Sequence, residues 1–360
     1  MPRIRLSFPK FTWLRGVVAM FCVTASCSCS TVGYYAQLAQ GQVSLLSRRE
    51  PVDALIADAR TDPKLKTRLA LTQTARAFAS DQLKLPRNRS YTLYADLGRS
   101  SVMWNVFAAP EFSLQPVTHC FPIAGCVAYR GYYAKDNADS EAERLRAKGD
   151  DVYVGGVAAY STLGWFDDPI LSTMLHWDDD ELVGTIFHEL AHQKLYLAGD
   201  TAFNESFATF VQEEGLRQWH RARGEPAEHV TRDERDQQFV QLILKTRAEL
   251  EKLYASEATP ESKRLAKQTA FAHLRDDYAA LRATQWRDFA DYDAWMQGDL
   301  NNAKLLPFGL YHQWIAAFAA LYTEQSMDWI RFYAAATQLS KLSVESRTQR
   351  LETLAKSRTD

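Results

Sequence analysis

The stretch Glu181-Leu-Val-Gly-Thr-Ile-Phe-His-Glu-Leu-Ala-His-Gln-Lys-Leu-Tyr-Leu-Ala-Gly199 decides how the chain is read. Leu182, Val183, Ile186, Phe187, Leu190, Ala191 and Leu195 recur with helical spacing over a wide arc, which predicts a buried helix. Asp180 suits its N-cap, with Asp178 and Asp179 at the positive end of the dipole. Gly199 suits the residue just past its end. His188 and His192 stand four residues apart, so their rings meet on one face. Two imidazoles so placed can hold one Zn2+ ion, and Glu189 beside the first can reach a water on that ion as general base. The alternative is two core histidines with an unpaired carboxylate inside an apolar helix. That carboxylate alone would cost on the order of several kcal/mol.

A catalytic zinc takes three protein ligands. The next stretch, Asp200-Thr-Ala-Phe-Asn-Glu-Ser-Phe-Ala-Thr-Phe-Val-Gln-Glu-Glu-Gly215, reads as a second helix stopped by Gly215. If the two helices form an antiparallel hairpin about Ala198-Gly199, His192 lies seven residues before Gly199 and Glu205 six after it. At about 1.5 Å per residue both stand roughly 10 Å from the turn, side by side. Glu205 is therefore the expected third ligand, while Glu213 and Glu214 lie past the metal. Phe203, Phe207 and Phe210 around it suggest that it points inward. Asn204 is expected to cap the helix or orient the site.

Upstream the pattern changes. Short β-branched and aromatic runs at Tyr91–Tyr94, Val102–Phe107, Val127–Tyr129 and Val152–Val154 read as strands, with a helix from about Ser140 to Lys148. Residues 34–80 and nearly everything after Asp180 read as helix, including a final apolar helix from Leu310 to Tyr322 after Pro307-Phe-Gly309. The class is α+β, with a small sheet before the histidine helix and a mainly helical C-terminal half. The expected divisions are a leader (1–26), an N-terminal helical segment (30–88), a catalytic core (89–215) and a helical part packed on it (216–360). Lys+Arg number 42 against 44 Asp+Glu. That balance implies no basic face and excludes nucleic acid as an expected partner.

Arg3, Arg5, Lys10 and Arg15, then the apolar run Gly16–Thr24 and small residues, read as a secretory signal too short to span a membrane. Thr24-Ala25-Ser26-Cys27 resembles a bacterial lipobox, with Cys27 as the expected lipidated residue and Cys29 as the alternative. The expected location is the cell envelope, on a lipid anchor facing the periplasm. Cys120 and Cys126 are the two cysteines left in the body and could form one disulfide in that compartment.

His188-Glu-Leu-Ala-His-Gln193 followed by Phe203-Asn-Glu-Ser-Phe-Ala208 resembles the gluzincin pattern, with a shorter gap between its two pieces. The match is closer to a family of bacterial lipoprotein aminopeptidases. It is echoed in Gly33-Tyr-Tyr, Trp104-Asn-Val-Phe-Ala, Cys120-Phe-Pro, Tyr129-Arg-Gly-Tyr and Ala159-Tyr-Ser-Thr-Leu-Gly-Trp-Phe-Asp-Asp-Pro169. The resemblance implies a zincin-like fold and a zinc aminopeptidase acting on peptides. Tyr160 could then donate to the tetrahedral oxyanion, with Tyr129, Tyr132 and Tyr133 as rivals. Asp167 and Asp168 could bind a substrate's ammonium, or Asp168-Pro169 simply starts a turn. Arg130 could hold a peptide carboxylate or an internal acid. His119 and His312 read as structural. An endopeptidase with the same site is one alternative. An envelope lipoprotein with a closed structural zinc is another, and Glu189 argues against it.

Overall fold

The computed structural model describes residues 32–121, 125–159, 161–225 and 230–357. Cys27, Cys29 and Tyr160, singled out above, lie outside these residues. The chain divides into two compact units at Ser47–Arg48. In the first, residues 32–46 form a helix, α1.

The second unit is α+β. Its strands are β1 (Arg49–Pro51), β2 (Leu93–Ala95), β3 (Met103–Pro110), β4 (His119–Phe121), β5 (Gly125–Val127), β6 (Tyr129–Tyr132), β7 (Asp150–Val157) and β8 (Ile170–Leu171). Its helices are α2 (Val52–Ala57), α3 (Pro63–Asp81), α4 (Lys135–Arg146), α5 (Asp179–Lys194), α6 (Thr201–Arg223), α7 (Val230–Ala255), α8 (Pro260–Thr284), α9 (Asp293–Gln297), α10 (Asn302–His312), α11 (Ile315–Glu324), α12 (Trp329–Ser340) and α13 (Val344–Lys356). Among the described residues, no helix is long and apolar enough to cross a membrane.

The main sheet is antiparallel, in the order β6-β3-β7. Phe107 and Ala109 on β3 pack with Ala303 and Leu306, so this sheet is one bed for α10. Asn302 fastens the start of that helix. Its amide nitrogen donates to the carbonyls of Pro110, Glu111 and Ser113, and its backbone N–H donates to Asp151. A second sheet, β1-β2-β8, pairs Tyr94 with Ile170 in parallel and feeds β8 toward α5. The C-terminal helices enclose a separate core around Phe239, Ile243, Leu274, Trp286 and Leu305.

Helix α5 starts one residue before the expected cap. Asp178, not Asp180, accepts from the backbone N–H of Glu181 at 2.8 Å. Its apolar arc is fully enclosed, with Leu182, Val183, Ile186, Phe187 and Ala191 at zero exposure. Phe187 meets Phe78 of α3 and Trp219 of α6. Each such side chain contributes about 1.5–3 kcal/mol by leaving water, so burial outweighs the modest helix propensity of Val, Ile and Phe here.

Two glycine readings change. Helix α5 ends at Lys194, and Gly199 instead turns the connecting loop at φ +85°. Gly215 does not stop α6, which runs on to Gly224 at φ +65°. A Cβ at Gly215 would come within 2.8 Å of both Phe187 and Leu83, so its bareness lets the helices approach. The expected helix 310–322 is two helices, α10 and α11, and Pro307 lies inside α10. Strands β4 and β5 pair as an antiparallel hairpin in which Cys120 and Cys126 are opposed and joined as a disulfide. That hairpin leans on the α5–α6 loop, for a Cβ on Gly125 would fall 2.5 Å from the backbone N of Gly199.

Candidate metal site

Helices α5 and α6 form the antiparallel hairpin and bring three side chains together. His188 Nε2 and His192 Nε2 are 3.1 Å apart, and Glu205 Oε2 lies 3.3 Å from the first and 3.5 Å from the second. All three residues are buried, and they form a group that could hold a metal ion.

Three consecutive residues of α6 share the construction. Asn204 clasps the loop: its Oδ1 accepts from Leu197 N–H and its Nδ2 donates to Leu197 O, each at 2.7 Å. Asp200, rather than Asn204, caps the helix. Glu205 faces the histidines. The Ser206 hydroxyl donates to Leu310 O and accepts from Trp314 N–H, which fixes the end of α10 beside the site.

That end carries Tyr311, whose ring lies nearly parallel to His188 with centroids 6.0 Å apart. Burial first, then the charge of Glu205, pushes the Tyr311 phenol well above its ordinary range. It therefore keeps its proton and remains a donor. Gln212, nearly two turns beyond Glu205 on α6, places Oε1 3.1 Å from His188 Nδ1. With Nδ1 protonated, His188 would donate to Gln212 and leave Nε2 for a metal ion. His192 Nδ1 is buried without a hydrogen-bond partner among the described residues.

The electrostatics fit this arrangement. Burial would raise the Glu205 carboxyl, but the imidazoles of His192 and His188 outweigh it and hold it well below the usual range. Glu189 differs: burial dominates over the same imidazoles and moves its carboxyl upward. The two acids therefore differ: the imidazoles favour the anion of Glu205, while burial favours the proton on Glu189.

The other candidates separate. Asp168 closes its own loop, accepting from Ser161 Oγ, Thr162 N and Thr162 Oγ1. Asp167 pairs with Arg89 at 3.4 Å. Arg130 faces an internal acid, Glu141, at 3.6 Å. Tyr132 and Tyr133 are buried, while Tyr129 packs on Phe107. His119 is lowered by burial and by Arg130, and burial holds His312 at about 4, so both rest neutral. Sequence reading missed Gln212 and Tyr311. The signal for Gln212 was its seven-residue spacing from Glu205, which keeps both on one face of α6.

Fold and site thus define an α+β protein with a buried His–His–Glu group on two adjacent helices. The family model described as "Putative aminopeptidase" matches residues 33–351, and the chain belongs to that family. Membership supports a peptidase function. No curated protein and no solved structure matches the chain.

Proposed function

We propose that the protein is a zinc-dependent aminopeptidase of the cell envelope, with a zincin-like core. The observation that carries this reading is the convergence of His188, His192 and Glu205 beside the upward-shifted Glu189. Two imidazoles and one carboxylate are a ligand set that suits catalytic Zn2+. When bound, the ion supplies Lewis-acid activation of water and of the scissile carbonyl. Glu189 takes the proton of the attacking water on its carboxylate and returns it to the departing amine. Tyr311 offers its phenolic O–H where negative charge develops on the carbonyl oxygen. The family supports the word aminopeptidase, and the leader pattern ending at Cys27, or Cys29, supports a lipid-anchored envelope location.

The test is hydrolysis of free-amine and N-terminally blocked peptides, with and without a zinc chelator. Cleavage of the free-amine set alone, abolished by chelation and restored by Zn2+, is expected. Equal cleavage of blocked peptides would move the assignment to an endopeptidase. Cleavage insensitive to chelation would overturn the zinc reading.

Gln212 gives a separate check. Gln212→Leu removes the acceptor that sets the His188 tautomer, and zinc affinity is expected to fall about 10–100-fold. Competition with a chromophoric chelator reads it, and unchanged affinity would mean that the ring is oriented by packing alone.

A further inference from the structure

Residues 161–168 link β7 to β8 and carry three left-handed backbone conformations within five residues: Leu163 at φ +56°, Gly164 at +81° and Asp167 at +38°. For the non-glycine residues such conformations are unfavourable and persist only where the surroundings enforce them. The enforcement is visible. The Asp168 carboxylate takes its three hydrogen bonds from Ser161 and Thr162. Arg49 donates to the carbonyls of Phe166 and Asp167 at 3.1 and 3.3 Å. The loop is held firmly, and what it holds out is apolar: Trp165 is 66% exposed and Phe166 50%. Strain and exposed aromatic surface in the same short segment mark a place where something else binds.

The loop also adjoins the motif helix. A Cβ on Gly164 would lie 3.1 Å from the side chain of Gln193, the residue after His192. At its other end, the Asp168 carbonyl accepts from Tyr91 N–H at 2.6 Å, and the Tyr91 ring senses the charge of Glu189.

We propose that Trp165 and Phe166, on the loop packed against the helix that carries His188 and His192, form a preorganised platform for an apolar side chain of the peptide substrate. The inference rests on the peptidase reading above and deepens it by naming the substrate class: peptides bearing bulky apolar residues near the scissile bond. Rigid aromatics bind such side chains at low cost in ordering entropy. A bilayer is the other surface that exposed Trp and Phe would fit. A bilayer-docking loop presents cations beside its aromatics. Here Arg49 is spent on backbone carbonyls and Arg89 pairs with Asp167.

The experiment compares two unblocked peptides, Leu-Phe-Ala-Ala and Gly-Gly-Ala-Ala, by calorimetry on the full-length, zinc-loaded Glu189→Gln protein. The apolar peptide is expected to bind at least tenfold more tightly. Adding Trp165→Ala with Phe166→Ala is expected to bring the two affinities within twofold, while Trp165→Phe alone keeps the ratio above fivefold. Zinc content and melting temperature report that the fold is kept. A ratio near one before substitution, or a ratio untouched by the double substitution, overturns the proposal. So does an undiminished ratio accompanied by loss of co-sedimentation with phosphatidylglycerol–phosphatidylethanolamine vesicles, which would assign the loop to lipid. Binding is read without turnover, so failure here is distinguishable from failure of the peptidase reading, which the chelator experiment detects.

Discussion

Glu189→Gln is expected to lower kcat by about 10²–10⁴-fold while leaving zinc content at one ion per chain. The amide matches the carboxylate in shape and cannot accept the proton of the attacking water. At about 1.4 kcal/mol per factor of ten, the loss amounts to roughly 3–5.5 kcal/mol of barrier. The pH profile adds a second readout. A base must be deprotonated to act, so activity in the native protein falls as pH drops through the Glu189 pKa. That acid limb should vanish in the Gln variant. Tyr311→Phe removes one donor to developing charge, and a loss of about 10²-fold is expected, the lower end of the range for such groups. Steady-state kinetics on a free-amine peptide measures both. A Glu189→Gln protein as active as the native one would remove Glu189 from the mechanism.

Glu205→Ala is expected to weaken zinc binding by about 10²–10³-fold. Protein zinc sites release about 10–16 kcal/mol over four ligands, so one ligand accounts for roughly 2.5–4 kcal/mol. Chelator competition reads the change, and undiminished affinity would take Glu205 out of the ligand set. The metal-free protein should show the same residue through pH. The Glu205 carboxyl is lowered because His192 and His188 outweigh its burial. A carboxylate with a depressed folded-state pKa stabilises the fold fully above its unfolded value, near 4.5, and loses that contribution as pH falls toward the depressed one. Metal-free Glu205→Ala should therefore lose stability at neutral pH and show a flatter acid dependence.

Much of the site was legible because it is local. His188, Glu189 and His192 share one helix turn, and Glu205 sits across a short loop, so helical rise alone brings them level. The helix limits were less legible. Gly199 and Gly215 both look like stops, since glycine's chemistry at a helix end and at a close contact is the same: no Cβ. Only the presence of Phe187 and Leu83 against Gly215 tells the two apart. The β4–β5 hairpin escaped notice because each strand has three residues, too few for an alternating pattern. The break between α10 and α11 escaped because residues 310–322 hold no Gly or Pro to mark a stop, while the hydrogen bonds that anchor the end of α10 come from Ser206, some hundred residues earlier.

By itself, then, the sequence determined the α+β class, the His188–His192–Glu205 group and the acid beside it, since each depends on periodicity within a few turns of chain. Tertiary structure alone decided the rest. It brought Tyr311 onto His188 and set Gln212 Oε1 beside the Nδ1 of the same ring. It also turned Asp168 into the latch of a loop that holds Trp165 and Phe166 in solvent. Those arrangements depend on contacts between helices and loops, and on which surfaces packing leaves uncovered. No repeat along the chain encodes either.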